Sequence, residues 1–544
     1  MTDAASALEA AVGIAERWAV PGGVVAVSDT RGLIAERAFG VSDVEASGPV
    51  RPDHLFEIGS ISKVATAIAV LQLVDEGMLR LDQPVRDVLP WVPPAFGDER
   101  LTVAHLLSHC GGLVASIDAV PDETGQLAGF VGDPAVPGGR FHYSNVGFLL
   151  LGRIVAALSG VPFPEHVRRR VLEPTGMADS VAAVIHDDYG RLARGSQRLH
   201  DDRPWLPGDA LIRAPWLEVA GADGNIAATA ADLARFGRTL LNGGHADDGT
   251  RILSASAFAA MTAPTAPGGE DVVDLPGIPS PDSSRYGLGI NVEQGPGGTV
   301  LTHGGGMVGY ASFLLIDSGG GLVTAVVTNA DGDAPVAEAM ARTTASALRG
   351  VPVEAVPDPA IWDTVASPAT AGRTGDFASV DGSRRISVHT RGDRLELETD
   401  GETAPLLWTW SGRAATRHPS LRRHHLGYED GAWTWGPLVL RPAGAPAPAP
   451  IRLSPEHRAH CGHYRGYSPW FTNFRVVDRE GALVLLATGG VEAPTEDVTL
   501  IPLGDGRFRL GQGEPETIAF GPPVDGGSPW AERDGCRYSR AFTP

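Results

Sequence analysis

Over the first 350 residues the hydrophobic positions alternate between a helical and a strand period. Residues 1–18 have the spacing of an amphipathic helix, and residues 22–27 and 33–39 read as two strands joined by a turn at 29–32. From Ile61 onward Val64, Ala65, Ala67, Ile68, Ala69, Leu71, Leu73 and Val74 are apolar on most sides, which predicts a buried helix ending near Gly77. Further helices are predicted over 101–107, where Gly111 and Gly112 act as the stop, and over 148–158, 163–172 and 230–241. Residues 247–281 are rich in Gly, Pro, Asp and Ser, so they are expected to cross the surface. Residues 286–292, 299–303, 311–316 and 322–328 then alternate as antiparallel strands, and 336–348 close this part with a helix. Strands at both ends of a helical middle imply one sheet assembled from distant segments, with the terminal helices on one face. The expectation is an α+β domain spanning 1–351.

Beyond Val351 the pattern changes. Pro352, Pro357, Pro359 and Pro368 mark a linker, after which short runs such as 385–389 and 395–398 alternate between Gly-Asp turns. A second linker of alternating Pro and Ala covers 442–450 and is expected to be extended. Runs at 473–477, 482–486, 499–502 and 507–510 follow, with Tyr464, Tyr467, Trp470 and Phe474 nearby as expected core. Two small antiparallel β-domains, 370–441 and 451–544, are predicted, barrel-like in form. The length of 544 residues suits two or three domains with ample core.

A net charge of -21 argues against nucleic-acid and anionic-membrane partners, which require basic patches. No basic leader followed by an apolar run and no spanning segment is visible, and three scattered cysteines do not make a disulfide framework. A cytoplasmic location is the expectation.

Composition then singles out one position. Lys63 is the chain's single lysine, since every other basic side chain is arginine. Arginine keeps its proton near neutral pH whereas a desolvated lysine can lose it, so a solitary lysine points to a task that needs a neutral amine. Ser60 stands three residues earlier, on the same helical face and at the helix's first turn, where the partial positive charge favours an alkoxide and disfavours an ammonium. A Ser-x-x-Lys tetrapeptide alone matches often by chance. Two further stretches change that: Phe141-His-Tyr-Ser-Asn145, placed before an apolar helix, and Leu301-Thr-His-Gly-Gly-Gly-Met-Val-Gly-Tyr310, where a strand runs into three glycines.

In this order and at these separations, Ser60-x-x-Lys63, Tyr143-x-Asn145 and His303-x-Gly305 resemble the motifs of the serine β-lactamase and penicillin-binding-protein superfamily, most closely its class-C-like esterase and D-aminopeptidase branch. Supporting stretches are 101–113, 172–177 and 221–225. The resemblance covers residues 1 to about 350. It implies an acyl-enzyme on Ser60 and a coupled base made of Lys63 and Tyr143, groups that ordinarily titrate at ~10.4 and ~10. It also implies that Asn145 holds Lys63 and a substrate amide, that Gly304, Gly305 and Gly306 let the strand approach the acyl group, and that the Gly306 and Ser60 N–H groups form the oxyanion hole. His303 is expected among the catalytic residues. Lactamases and carboxypeptidases of the superfamily usually carry lysine there to hold a substrate carboxylate, so neutral histidine weakens that anchoring and counts against an antibiotic-destroying enzyme.

The implied activity is hydrolysis of small esters, amides or short peptides, including those with D-configured residues. An acyltransferase or macrocyclising peptide thioesterase would use the same acyl-enzyme and stays open, with a β-lactamase or D-Ala-D-Ala carboxypeptidase ranked behind. No cofactor and no metal is expected. His105 and His109 are read as structural, and His457, His460, Cys461 and His463 are too crowded in sequence for a zinc site.

Overall fold

The computed structural model describes residues 3–93, 101–115, 127, 139–331, 334–356, 372–392, 394–410, 412–446, 449, 451–491 and 493–541. Pro357, Pro359, Pro368 and part of the 442–450 linker, all named above, lie outside them. The chain divides into two compact units, residues 1–197 with 211–354, and 198–210 with 355–544.

The first unit opens with helix α1 (Ala4–Arg17), whose first turn is closed by the Asp3 carboxylate accepting from the Ser6 N–H. Strands β1 (Gly22–Asp29) and β2 (Gly32–Gly40) follow as a hairpin. Helix α2 (Ser62–Asp75) is buried along nearly its whole length, as its unbroken apolar run requires. Helices α3 (Asn145–Ser159), α4 (Ala230–Leu241) and α5 (Ala255–Met261) precede strands β3 (Ser283–Tyr286), β4 (Asn291–Gly295), β5 (Gly298–Met307), β6 (Tyr310–Asp317) and β7 (Leu322–Thr328), and helix α6 (Ala334–Leu348) ends the unit. The seven strands form one sheet in the order β2-β1-β7-β6-β5-β4-β3. α1 and α6 pack together. α6 also lays Arg342 over Phe313 of β6, whereas α4 packs Gly237 against Leu314, Ile316 and Val323, the alternate side chains. Helices therefore cover both faces of the sheet.

Two expectations need correction. Residues 286–292 are not one strand: Gly287 to Ile290 leave the ladder, with the Leu288 N–H bonded to the Met261 carbonyl and the Gly289 N–H to the Leu107 carbonyl. Gly289 has a φ of 78°, and a Cβ there would overlap that of Ala67, so helix packing overrides the alternating pattern. The stretch expected to cross the surface also holds helix α5, which buries Ala257 and Met261 and has Ser254 capping the Ala257 N–H.

The second unit contains two closed antiparallel barrels of eight strands each, Gly375–Ser379 through Leu438–Pro442 and Gly462–Arg465 through Cys536–Arg540. Asp400-Gly401, Asp430-Gly431, Asp505-Gly506 and Asp534-Gly535 have positive φ at both residues, the twist that a two-residue hairpin loop demands. Tyr464, Phe471, Phe474, Phe508, Phe520 and Tyr538 fill the second barrel and Phe377, Trp408 and Trp433 the first. Tyr467, expected in that core, is fully exposed. Segment 198–210 belongs to this unit through the Asp201 carbonyl, which accepts from Asn473 Nδ2 at 2.9 Å and Thr488 Oγ1 at 2.6 Å. No single helix among the described residues is long and apolar enough to cross a membrane.

Candidate active site

Ser60 lies in a single 3-10 turn, Gly59–Ile61, that leads directly into α2. Lys63 is one turn on and fully buried. Its Nζ lies 2.9 Å from Ser60 Oγ, 2.7 Å from Asn145 Oδ1 and 2.8 Å from the Asp223 carbonyl oxygen. The last two are obligate acceptors, so they take two N–H bonds whatever the charge of the amine. The third direction faces the serine hydroxyl. A neutral amine presents its lone pair there, and an ammonium presents a third N–H along the same line. Ser62, the neighbouring hydroxyl, faces away and accepts from the Ile226 N–H at 3.1 Å.

Asn145 is the first residue of α3, whose N-terminus is capped by Ser144 Oγ accepting from the Gly147 N–H. His109 fixes this corner by accepting the Ser144 N–H at Nδ1, 2.9 Å away, and its ring lies 4.2 Å from that of Tyr143. Burial holds the His109 imidazole well below its usual range, so it is neutral. His105 closes a capping box with Thr102. The Tyr143 ring centroid is 4.9 Å from Lys63 Nζ, and the ring is 6.4 Å from that of His303. The Ser60, Lys63, Asn145 and Tyr143 side chains therefore form one cluster, reached from two separate segments.

The opposite wall is strand β5. Met307 and Tyr310 close a two-residue hairpin, so that pair exchanges hydrogen bonds and the pairs alternate from there. Gly306, facing Ala311, and Gly304, facing Phe313, therefore turn their N–H and C=O groups away from β6. On that side β4 pairs with β5 only as far as Thr302, opposite Asn291, so no strand covers either glycine, and the Gly304 backbone is instead bonded by His303 and Glu270. Gly59 has a φ of 50°, and a Cβ on it would overlap the Gly306 backbone; a Cβ on Gly305 would overlap the Ile58 carbonyl. These two glycines let the serine turn and the strand come together. Gly304 is different, since a Cβ there would meet only ordinary contact with Phe313.

His303 is fully buried on this strand. Its Nδ1 lies 2.7 Å from the Gly304 carbonyl oxygen and its Nε2 2.8 Å from the Tyr286 hydroxyl. A carbonyl only accepts, so Nδ1 carries the proton and Nε2 accepts from Tyr286. Burial drives its pKa down to about 3, so it stays neutral. Both nitrogens are thus committed within the protein.

Glu270 completes this wall and was not expected from the sequence. Its carboxylate oxygen is 3.8 Å from His303 Nδ1 with the side chain 23% exposed, and it is hydrogen-bonded by the Gly304 backbone. Burial, then Glu338, push its pKa up to about 8. The Asp223 carbonyl and Tyr286 were also missed as site groups. In the second unit, His460 bonds to Ser528 and His463 to Asn473, so two members of the crowded histidine cluster are occupied.

A nucleophile turn at the head of a buried helix, a lysine on the next turn and a glycine edge that no strand covers on an antiparallel sheet define the serine hydrolases of the β-lactamase and penicillin-binding-protein class. Residues 13–349 match the family described as Beta-lactamase, and the chain belongs to that family. It is 33% identical to penicillin-binding protein 4 of Amycolatopsis lactamdurans over 324 residues, covering 57% of this chain and 81% of that protein. It is 35% identical to esterase EstB of Burkholderia gladioli over 181 residues, 29% of this chain and 46% of that one. The octameric penicillin-binding protein homologue from Pyrococcus abyssi shares the fold, with a TM-score of 0.57 at 23% identity, over 80% of this chain and 98% of that chain.

Proposed function

We propose that the protein hydrolyses small esters, amides or short peptides through an acyl-enzyme on Ser60. The observation that carries this reading is the placement of Lys63 Nζ, held by Asn145 Oδ1 and the Asp223 carbonyl with its third direction 2.9 Å from Ser60 Oγ. Full burial disfavours the ammonium, and the neutral amine satisfies both fixed acceptors while receiving the serine proton. As Ser60 Oγ bonds to the acyl carbon, its proton moves to Lys63 and becomes the third N–H. The carbonyl oxygen, now negative, is received by the Ser60 and Gly306 N–H groups, a contribution of about 3 kcal/mol of barrier for each such donor. The leaving group departs with a proton supplied by the coupled Lys63 and Tyr143 pair, and water attacks the acyl-serine by the same route in reverse.

His303 takes a positioning role here, since both ring nitrogens are already bonded. It supplies no fixed cation for a substrate carboxylate, which favours esters and amides over carboxylate-anchored substrates. Relatedness to an esterase, EstB, agrees with this. The test is covalent. Incubation with a fluorophosphonate should raise the intact mass by one adduct, and peptide mapping should place it on Ser60. An adduct on another residue, or none on folded protein, would sink the reading.

A further inference from the structure

The acyl-serine reading says where the leaving group must lie. Its proton comes from Lys63 and Tyr143, so it sits on their side of the cleft, and the next wall is His303 and Gly304, since the Tyr143 and His303 rings are 6.4 Å apart. Gly304 is two residues from Gly306 along an extended strand, a span of about 7 Å. At the Gly304 end the Glu270 carboxyl group accepts from the Gly304 backbone, 3.8 Å from His303 Nδ1 and with 23% of its side chain exposed.

Carboxyl groups outnumber cations around it. His303 is neutral and fully bonded. Glu293 and Glu338 lie behind Glu270 and share one cation, Arg342, at 2.7 Å each. Three carboxyl groups against one guanidinium leave this end of the cleft acidic. Lys63 also acts on Glu270 electrostatically, from the far side of the cleft. The Glu270 backbone is fixed at both ends, its N–H donating to Asn291 Oδ1 at 3.1 Å and its carbonyl accepting from Ser284 Oγ at 2.7 Å. The side chain is therefore held against β5 rather than free to swing out.

We propose that Glu270 is a specificity-determining residue that makes the leaving-group side of the cleft select a cationic group, such as a quaternary or primary amine, and reject a carboxylate. This deepens the acyl-serine reading and rests on it. The arrangement reverses the charge that a lysine at position 303 would bring. Once ionised, above about pH 8, Glu270 offers a cation a carboxylate in a partly enclosed site, where attraction is stronger than in water. A carboxylate would meet a second carboxylate and no counter-charge from His303.

Three aryl acetates matched in shape test this: 3-(trimethylammoniomethyl)phenyl, 3-neopentylphenyl and 3-(carboxymethyl)phenyl acetate, each rate divided by that ester's own hydroxide-catalysed rate. Assays at pH 9 keep Glu270 ionised. In the wild type the cationic ester should exceed the anionic one in kcat/KM by at least about ten-fold, with the neutral ester between them. Glu270→Gln should bring the three within about three-fold, and Glu270→Asp should keep the order. Equal rates or a reversed order in the wild type would overturn the proposal, as would a folded Glu270→Gln variant with the preference intact. Should Glu270→Gln not fold, the wild-type order together with loss of the order in Glu270→Asp would be just as decisive against it. Fluorophosphonate labelling of Ser60 separates the two levels: labelled enzyme without charge preference refutes Glu270 alone, whereas unlabelled wild type refutes the acyl-serine reading and this inference with it.

Discussion

The two walls of the cleft solve different problems. In the proposed acyl-serine mechanism the helix wall carries the groups that change protonation, Ser60 and Lys63, with Lys63 anchored by two acceptors that never change. On the strand wall only Glu270, its pKa pushed up to about 8, titrates near working pH; His303 and the glycine backbone do not. His303 is locked neutral by the Gly304 carbonyl and Tyr286, and the Gly306 backbone offers fixed dipoles where no strand pairs with it. Preorganised dipoles need no rearrangement as charge develops, whereas a base must be able to lose and regain a proton. The contrast explains why one wall needs a lysine and the other tolerates a histidine.

The largest effect should come from breaking the helix wall. Lys63→Arg keeps positive charge but cannot become neutral, so kcat should fall by about a hundred-fold to ten-thousand-fold, the usual worth of a general base. Lys63→Met should lose as much, and comparing the melting temperatures of both variants with the wild type separates this loss from overpacking. Near-normal turnover in a folded Lys63→Arg variant would remove Lys63 as the base.

Breaking the strand wall comes next. Gly305→Ala places a methyl group against the Ile58 carbonyl and Ser312 Oγ, pushing β5 away from the Ser60 turn. Displacing one oxyanion donor should lower kcat by about 10²-fold to 10³-fold with a smaller change in KM. Gly304→Ala is the control, since its added methyl meets only Phe313 at ordinary distance, and it should cost far less. Equal losses in the two variants would mean that the glycine edge works in some other way.

Tyr286→Phe sharpens the comparison. It leaves His303 Nε2 as a buried acceptor without its donor, a loss of about 1–3 kcal/mol in stability, read by chemical denaturation. If His303 only positions the strand, the pH profile of kcat/KM should keep its shape. A new limb between pH 5 and 7 would show that His303 titrates during turnover.

The smallest effect concerns Glu57, on the short strand leading to Ser60. Burial pushes its pKa up to about 8, and Oε2 has no hydrogen-bond partner among the described residues. An acid with a raised folded-state pKa contributes stability that is complete below its ordinary range near pH 4.5 and is lost as pH rises toward 8. The melting temperature of the wild type should therefore decline over that window, and Glu57→Gln should flatten the decline. An unchanged slope would assign it to other groups.

How much of this could be read from the sequence depended on distance along the chain. Ser60 and Lys63 are neighbours by helical spacing, and a single lysine drew attention to itself. The Asp223 carbonyl is a backbone group 160 residues from Lys63, and no composition signal marks it. Glu270 lay in a stretch read as surface because of its Gly and Pro content, yet the same stretch is stitched to the sheet, the Ala266 N–H bonding to the Tyr286 carbonyl. Tyr286 was placed in a strand that in fact breaks one residue later, where Gly287 and Gly289 adapt the chain to α2 and α5. The barrels were legible because their Asp-Gly turns and alternating runs are local features. Tyr467 was misplaced because aromatic character alone does not tell which face of the chain is inside.

The central claim is that Lys63 is a neutral amine when Ser60 attacks. Because the chain has one lysine, selective 13Cε-lysine labelling yields a single side-chain NMR signal from folded protein. An ordinary lysine titrates at ~10.4 and is an ammonium at pH 8. The account predicts that at pH 8 this signal stands at the position of a neutral amine in the free enzyme and moves to the ammonium position only as the pH is lowered. A signal at the ammonium position in free, active enzyme at pH 8 would contradict it.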